Sequence, residues 1–480
     1  MSSRLGATKI GVRNPRTGDV DYWFVPPSLE ELKDLSATLR AGQGPWESVG
    51  VEGRVAALAE WSEAIAEHRA QIVSALVGDT GRRIESEMEV DAILGSLARW
   101  SRLAPELLSD EGPRPSSIPI VSVAQQTRPY SLVGVISPWN FPLLLSLIDA
   151  IPALLAGCAV IVKPSEVAPR FIDSITETSE GVPGLGSVLG FIAGAGETGA
   201  QLIDEVDAIC FTGSVPTGRI VAAQAAGRFI PAFLELGGKD PAIVLASADL
   251  DRASSAILWG STANAGQSCQ SIERVYVDSS VYDEFADRLV EKANELRLAE
   301  PTPEDGQIGP IIAADQIEVI RRHIEDAISQ GARVRCGGSL EVIDGGTYCP
   351  PTVLTGVDHN MLVMTEETFG PIMPLMPFGD ADEAVALSND TVYGLSGSVF
   401  AGSSDEALAV ASRMNAGGIS VNDAALTALV HDGEKNSFNL SGLGGSRMGP
   451  AALRRFGRRQ AFLINETAAP DPWWYPQLKK

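Results

Sequence analysis

Five cysteines give this 480-residue chain five candidate thiol nucleophiles, and their neighbours separate them. A thiol acts as its thiolate in a partly open site, whereas one inside an apolar run is inert. Cys158 and Cys210 lie in the apolar runs CAVIV and AICFT, and Cys336 and Cys349 in Gly-rich or Pro-flanked stretches that read as surface. Cys269 differs: Asn264, Ala265, Gly266, Gln267 and Ser268 before it are small or polar and let a ligand approach the backbone. Glu235, in LELGGKDP, ends an apolar run just before Gly237 and Gly238, where partial desolvation would raise its pKa and suit it to general-base work. Asn140, between Trp139 and Phe141 in PWNFP, offers an amide donor in a rigid apolar turn, as an oxyanion needs. Taken singly, Glu235 reads more readily as a surface carboxylate at a strand end, and Asn140 as a residue bonding its own turn. His68, His323, His359 and His431 are scattered without ligand spacing, so no metal is expected, and a Cys hydrolase lacks a His partner near these motifs.

The elements that must position these groups fall into two series. Residues 54–77 carry apolar side chains at helical spacing and predict one amphipathic helix. From about residue 130 come short Val/Ile-rich runs bounded by Gly and Pro: YSLVGVIS, CAVIVKP, VLGFIAG, DAICFTGS and PAIVLAS, with a helix from Leu143 to Ala156 crossing between the first two. Such runs suit parallel strands buried on both faces. A second series follows: ERVYVD, a helix from about Val281 to Leu296, PPTVL, SGSVFAG, a helix from about Asp405 to Asn415, and GGISVND. Two α/β cores imply two lobes and a cleft that takes small molecules. Segment 111–129 interrupts the first series with an alternating pattern, so a hairpin is expected, exposing Ile118, Ile120 and Val123 for a subunit contact or for simple internal packing.

The net charge of −24 repels a phosphate backbone, so nucleic acid is not an expected partner. Pro138, Asn140, Pro142, Asp149 and Pro152 break the longest apolar stretch, which excludes a membrane span there. The N-terminal MSSRLGATKIGVRNP has no apolar core of signal length, and an odd, unpaired set of cysteines suits a reducing, cytoplasmic setting.

Together PWNFP, VKPSE, FTGS, LELGGKDP, NAGQSC and EETFGP occur in one order, and the set resembles the aldehyde dehydrogenase superfamily over about residues 10–465. Cys269 follows Glu235 by 34 residues, the interval that family uses. The resemblance implies an α/β fold of the aldehyde dehydrogenase type: a Rossmann-like coenzyme domain (1–110 and 130–235), a catalytic α/β domain (236–440) and small β oligomerisation elements (111–129 and 458–480). It further implies a homodimer or homotetramer. Residue by residue, Cys269 resembles the nucleophile, Glu235 the base that activates water, and Asn140 with the Cys269 N–H the oxyanion hole. An aldehyde cannot release hydride until a thiolate has added to its carbonyl, and the later thioester needs water and a base; relatives that transfer the acyl group elsewhere generally lack this Glu. Lys163, Ser165 and Glu166 resemble the residues at the adenosine ribose, where a carboxylate favours NAD over NADP. Trp139, Gly213, Ser214 and Gly218 resemble the pyrophosphate contacts, and Glu367 and Phe369 those at the nicotinamide ribose and ring.

Two departures from the family pattern stand out. Ile148-Asp149 replaces the usual Trp-Lys after PWNFP, and the usual S-G-x-G-R-E becomes Ser441 to Arg447 with its acidic residue lost. The paired change predicts that Asp149 and Arg447 form an ion pair of inverted sense. Phe141, Leu144, Leu145 and Ile148 resemble an apolar tunnel wall, with Ser268 and Gln270 beside the nucleophile and Ala263 adding width. His431 and Lys435, in the divergent segment 423–439, read as a solvated loop. No tunnel position supplies an Arg, so an uncharged aromatic or medium aliphatic aldehyde is expected. A semialdehyde dehydrogenase of the succinate type is the alternative, and a catalytically silent binding or structural member the non-enzyme one.

Overall fold

The computed structural model describes residues 8–109, 111–467 and 471–475. Four of the expected strands, joined by Ala232–Glu235, build a parallel sheet in the order 232–235, 208–212, 132–136, 159–163 and 189–191, with the short antiparallel strand Gly442–Leu443 on the edge of Ala232–Glu235. Chain order runs outward in both directions from Leu132–Ile136, which puts a topological switch between that strand and Ala208–Thr212. Ligands of doubly wound sheets bind at the carboxyl ends of the strands beside such a switch. Ser137 to Asn140, Gly213 and Ser214 leave the sheet there, and Lys163 and Glu235 close neighbouring strands.

A second sheet has the order 333–336, 352–355, 372–378, 272–278, 240–244, 396–400 and 418–421, parallel except for its first strand. Its alternation is visible in the packing: Ile243, Tyr276 and Val399 enter one apolar cluster, whereas Ala242, Val244, Val275, Val277 and Phe400 enter another on the opposite face. The run PAIVLAS, grouped above with the first series, belongs here instead, as Asp240–Val244 between Ile272–Asp278 and Ser396–Phe400. Apolarity alone could not assign it, because both sheets bury their strands on both faces.

The expected hairpin is present: Glu111–Pro115 and Val121–Pro129 pair antiparallel, and Gly457–Asn465 adds on the other side of the longer strand. Ile118 and Ile120 are exposed, but Val123 is half-buried between its neighbours. Residues 1–7 and 110 of the expected coenzyme domain, and 468–470 and 476–480 of the expected oligomerisation elements, lie outside the described residues.

Two helices, Gly50–Glu67 and Arg69–Thr80, replace the single one predicted over 54–77, broken at His68. The helix predicted to reach Asn415 stops at Ala411. Pro142–Ala156 opens directly after the PWNFP turn, with Pro142 in its first turn, where its missing N–H costs nothing. Phe141 gives this helix no side-chain cap. Glu89, from the helix Ile84–Leu107, supplies one, accepting from the Leu143 and Leu144 N–H groups at 2.9 and 3.0 Å. No described helix is long and apolar enough to cross a membrane.

Candidate active site

Between the two sheets lies a cavity of about 640 Å³. Cys269, Glu235 and Asn140 line it together, as do Phe141, Leu144, Leu145, Ile148, Ser268, Gln270 and Ala263. Thus the side chains expected to do chemistry and those expected to form a tunnel wall share one chamber. Trp139, Lys163, Ser165, Glu166, Gly213, Ser214, Gly218, Glu367 and Phe369 are absent from its lining.

The nucleophile segment is shaped by close backbone approach. Asn264 and Ala265 adopt left-handed φ values of 54° and 53°, costly for residues with a Cβ and sustained only when the surroundings fix them. Asn264 is so fixed: its N–H donates to Glu85 at 3.0 Å, its side-chain oxygen accepts from Arg82, and its amide donates to the carbonyls of Asn140 (2.9 Å) and Gln267 (3.0 Å). Gly266 follows at φ 71°, and a Cβ there would lie 2.3 Å from the Gly370 carbonyl carbon, so this turn packs straight onto the segment behind Phe369. Gly237 and Gly238 have the same origin, since a Cβ on the first would meet the Glu367 carboxylate at 2.5 Å and on the second the Cys269 carbonyl at 2.6 Å.

Asn140 is buried and donates one amide N–H to the Gln267 carbonyl at 3.0 Å, while its own carbonyl accepts from Arg82 at 2.6 Å. Arg82 is itself buried and paired with Glu89 at 3.2 Å. This links the turn, the helix start and the nucleophile loop into one network. Sequence reading missed Arg82 and Glu89, whose seven-residue spacing carries no local signal.

Cys269 is half-buried, with its exposed part in the cavity. Desolvation pushes its thiol up to about 12; Lys435 pulls it down, against Glu367, Asp240 and Glu235. Burial, aided by the Glu341 carboxylate and opposed by the Thr352 hydroxyl, pushes Cys349 up to about 12, and this residue, read as surface above, is fully buried. Glu235 accepts a hydrogen bond from the Ser437 hydroxyl at 2.7 Å, and the Lys435 ammonium stands 3.9 Å away. Lys435 and His431 therefore do not form a solvated loop: both line the cavity, and Lys435 is only 9% exposed. The divergent segment folds inward because Ser446 accepts the Lys435 N–H at 3.0 Å.

Arg447 meets Asp149 at 2.8 Å, the inverted pair predicted from the sequence, and Arg455 joins as an unforeseen third member. Burial opposes ionisation of Asp149, but the two guanidinium groups outweigh it and hold the carboxyl below its usual range. Arg447 also lines the cavity, correcting the expectation that no Arg does, although Asp149 and the Thr212 hydroxyl engage its guanidinium.

Glu367 is half-buried and accepts the Gly238 N–H at 3.0 Å; desolvation, then the neighbouring Glu273 carboxylate, push its pKa up to about 8. Phe369 holds φ 52° with its ring edge-on to Trp139 at 5.4 Å, and the buried Glu273 accepts the Thr368 and Phe369 N–H groups at 2.7 Å each. Lys163 lies 3.5 Å from Glu166 and donates to the Gly194 carbonyl. Ser214 caps the helix Val215–Gly227 at an exposed N-terminus.

The sequence matches the aldehyde dehydrogenase family over residues 3–461. It is 36% identical over 438 residues to the 4,4'-diapolycopene aldehyde oxidase of Methylomonas, covering 90% of this chain and 81% of that one. It is 34% identical to a putative NADP(+) succinate-semialdehyde dehydrogenase of Mycolicibacterium smegmatis, covering 93% and 86%. Among solved structures, the putative aldehyde dehydrogenase PutA of Anabaena variabilis superposes with a TM-score of 0.96 at 58% identity, covering 98% and 100%. Betaine aldehyde dehydrogenase of Staphylococcus aureus, solved with NAD+, superposes with 0.91 at 28%, covering 97% and 94%. The chain belongs to the aldehyde dehydrogenase family. It has that family's fold and is an aldehyde dehydrogenase.

Proposed function

We propose that this enzyme oxidises an uncharged, apolar aldehyde, aromatic or medium aliphatic, to its carboxylic acid with NAD as acceptor. The reading is carried by the shared chamber: Cys269, Glu235 and Asn140 line one cavity with Phe141, Leu144, Leu145, Ile148, Leu258 and Trp259. Apolar walls hold a substrate by burying its surface, and fixed donors beside the nucleophile orient its carbonyl.

Cys269 adds through sulfur to the aldehyde carbon, the carbonyl π pair moves to oxygen, and the second Asn140 amide N–H with the Cys269 N–H stabilises that oxyanion. A bound dinucleotide supplies the hydride acceptor, leaving a thioester on Cys269. Glu235 then takes a proton from water as the hydroxide oxygen attacks the thioester carbon; the C–S bond breaks and sulfur leaves as thiolate. Ser437 fixes the Glu235 carboxylate for that step.

Residues outside the chamber fit a dinucleotide chemically. Glu367 receives one N–H and keeps acceptor capacity for ribose hydroxyls, with Phe369 and Trp139 beside it. Ser214, with Gly213 and Gly218, opens an exposed helix N-terminus suited to a pyrophosphate, and Lys163, Ser165 and Glu166 would take the adenosine ribose. The Glu166 carboxylate disfavours a 2′-phosphate, hence NAD over NADP. We assign 1–110 with 130–235 to the coenzyme domain and 236–440 to the catalytic domain. Segments 111–129 and 458–480 would join subunits of a cytoplasmic homodimer or homotetramer.

The relative named for succinate semialdehyde, with Lys435 and Arg447 in the cavity, sustains a second reading: a short, carboxylate-bearing semialdehyde. Against it, Asp149 already holds Arg447, and Lys435 stands beside the Glu235 carboxylate, which repels a second one. The test is reduced-dinucleotide absorbance with benzaldehyde, decanal and succinate semialdehyde, each with NAD and NADP. Higher kcat/KM for the apolar pair with NAD is expected, and Cys269→Ala is expected to be inactive. Preference for succinate semialdehyde overturns the substrate class, and activity retained in Cys269→Ala overturns the nucleophile.

A further inference from the structure

Lys435, a buried cation on the segment that departs furthest from the family pattern, lines the same chamber as Cys269 and lowers its thiol. Its side chain is 8% exposed, its Nζ has no hydrogen-bond partner among the described residues, and it opens into the chamber that Cys269 and Glu235 line. A buried ammonium is costly unless opposite charge offsets it. Glu235 at 3.9 Å is too far for a strong direct bond, and that carboxylate is already held by Ser437 at 2.7 Å. The ammonium is therefore left only partly matched in a chamber whose other resident is a thiol.

We propose that Lys435 is a positioning residue: its ammonium is the counter-charge against which the Cys269 thiolate forms, and with Ser437 it holds Glu235 in place. In the step it promotes, the Cys269 S–H bond breaks, its electron pair stays on sulfur and the proton leaves to solvent through the open cavity. Opposing Lys435 around Cys269 are Glu235 at the end of one strand, Asp240 at the start of another, and Glu367 from the turn before Phe369. Behind Glu367 the buried Lys239 is neutralised by Glu273 at 2.6 Å. His431 and Arg447 line the same chamber, the latter paired with Asp149. Without Lys435 the thiol would face three carboxyl groups and no unmatched cation, so its ionisation would move to higher pH.

This rests on Cys269 being the nucleophile, and the experiment separates the two claims. Full-length protein without dinucleotide is treated with iodoacetamide across pH 6–10, and the labelling rate at Cys269 is read by peptide mass spectrometry. Lys435→Met is expected to lower the labelling rate about tenfold or more across that range, as a rise of one pH unit in the thiol's ionisation does, and Lys435→Arg to restore most of the loss. Circular dichroism and melting confirm the fold; Lys435→Gln replaces the Met variant if that one does not fold. A Lys435→Met or Lys435→Gln profile coinciding with wild type overturns the role of Lys435 while leaving the nucleophile standing. If Cys269 resists labelling and Cys269→Ala keeps its dehydrogenase activity, the underlying reading falls instead.

Discussion

Replacing Glu89 tests whether the oxyanion turn is held from outside. Glu89 is 1% exposed, accepts two helix N–H groups at 2.9 and 3.0 Å, and pairs with Arg82 at 3.2 Å. Burial raises its pKa, whereas Arg82 and the two N–H groups act the other way. Glu89→Ala leaves the Arg82 guanidinium buried without its partner, a loss of about 3–5 kcal/mol, and uncaps Pro142–Ala156 for a further ~1 kcal/mol. Glu89→Gln keeps the volume and one acceptor but turns an amide towards Arg82, so about half that loss is expected. Arg82 is also the donor to the Asn140 carbonyl and to Asn264, so kcat should fall with stability. A displacement of about 1 Å at a donor costs on the order of a hundredfold in rate. The assays are urea unfolding and steady-state turnover, with Arg82→Met and the double variant closing a thermodynamic cycle. A Glu89→Ala change below about 1 kcal/mol, or a cycle with no coupling energy, would refute the network. Full turnover in a clearly destabilised variant would separate folding from catalysis and refute the link to Asn140.

Two further predictions concern buried carboxyls of opposite behaviour. Asp149→Asn leaves Arg447 and Arg455 facing each other across a neutral amide, with an expected loss of about 3–5 kcal/mol in urea unfolding; an unchanged midpoint would show that the triad stabilises nothing. Because Asp149 is held below its ordinary 3.8, its contribution is present above that pH and is lost as pH falls through the lower folded value, a decline that Asp149→Asn should lack. Glu367 titrates near 8 against an ordinary 4.5, so between those values the folded chain keeps a proton that the unfolded chain has released. Stability should therefore fall as pH rises across that window, and Glu367→Gln should flatten the decline. Parallel profiles for wild type and variant would contradict the burial argument.

What could be read in the sequence was what repeats along it. Leu132–Ile136, Pro142–Ala156 and Ala159–Lys163 follow directly from apolar runs and their Gly and Pro boundaries, since burial on both faces leaves a continuous signature. The predicted Asp149–Arg447 pair was legible because both departures from the family pattern changed sign together. Arg455, which completes it, was not, since its approach depends on how the chain turns after Gly449 and on its guanidinium lying over Phe233 and Phe456 at 4.9 Å. Lys435 was misread for a related reason. A segment with Asp432, Gly433 and Glu434 beside a lysine has the composition of a solvated loop, and hydrogen bonds to distant groups, those of Ser446 and Ser437 among them, turn it into the chamber. Polarity patterns report exposure on average, and they fail where a buried charge faces groups far away in the chain.

The short connection from Glu235 to Asp240 explains why so much chemistry gathers at one place. The strand ending at Glu235 belongs to the first sheet and the strand starting at Asp240 to the second, so Leu236, Gly237, Gly238 and Lys239 must cross between them. A crossing this short draws the two sheets together, and the gap is filled by what the glycines admit: the Glu367 carboxylate against Gly237 and the Cys269 carbonyl against Gly238. Lys239 anchors the far side by donating to Glu273 and Thr368, which fixes the turn that carries Glu367 and Phe369. A side chain on Gly237 would therefore displace Glu367, proposed for the nicotinamide ribose, and one on Gly238 would displace the nucleophile segment. The local acidity that results, Glu235, Asp240 and Glu367 around one thiol, works against a thiolate. A buried lysine reaching in from the opposite wall is the kind of compensation such a site requires.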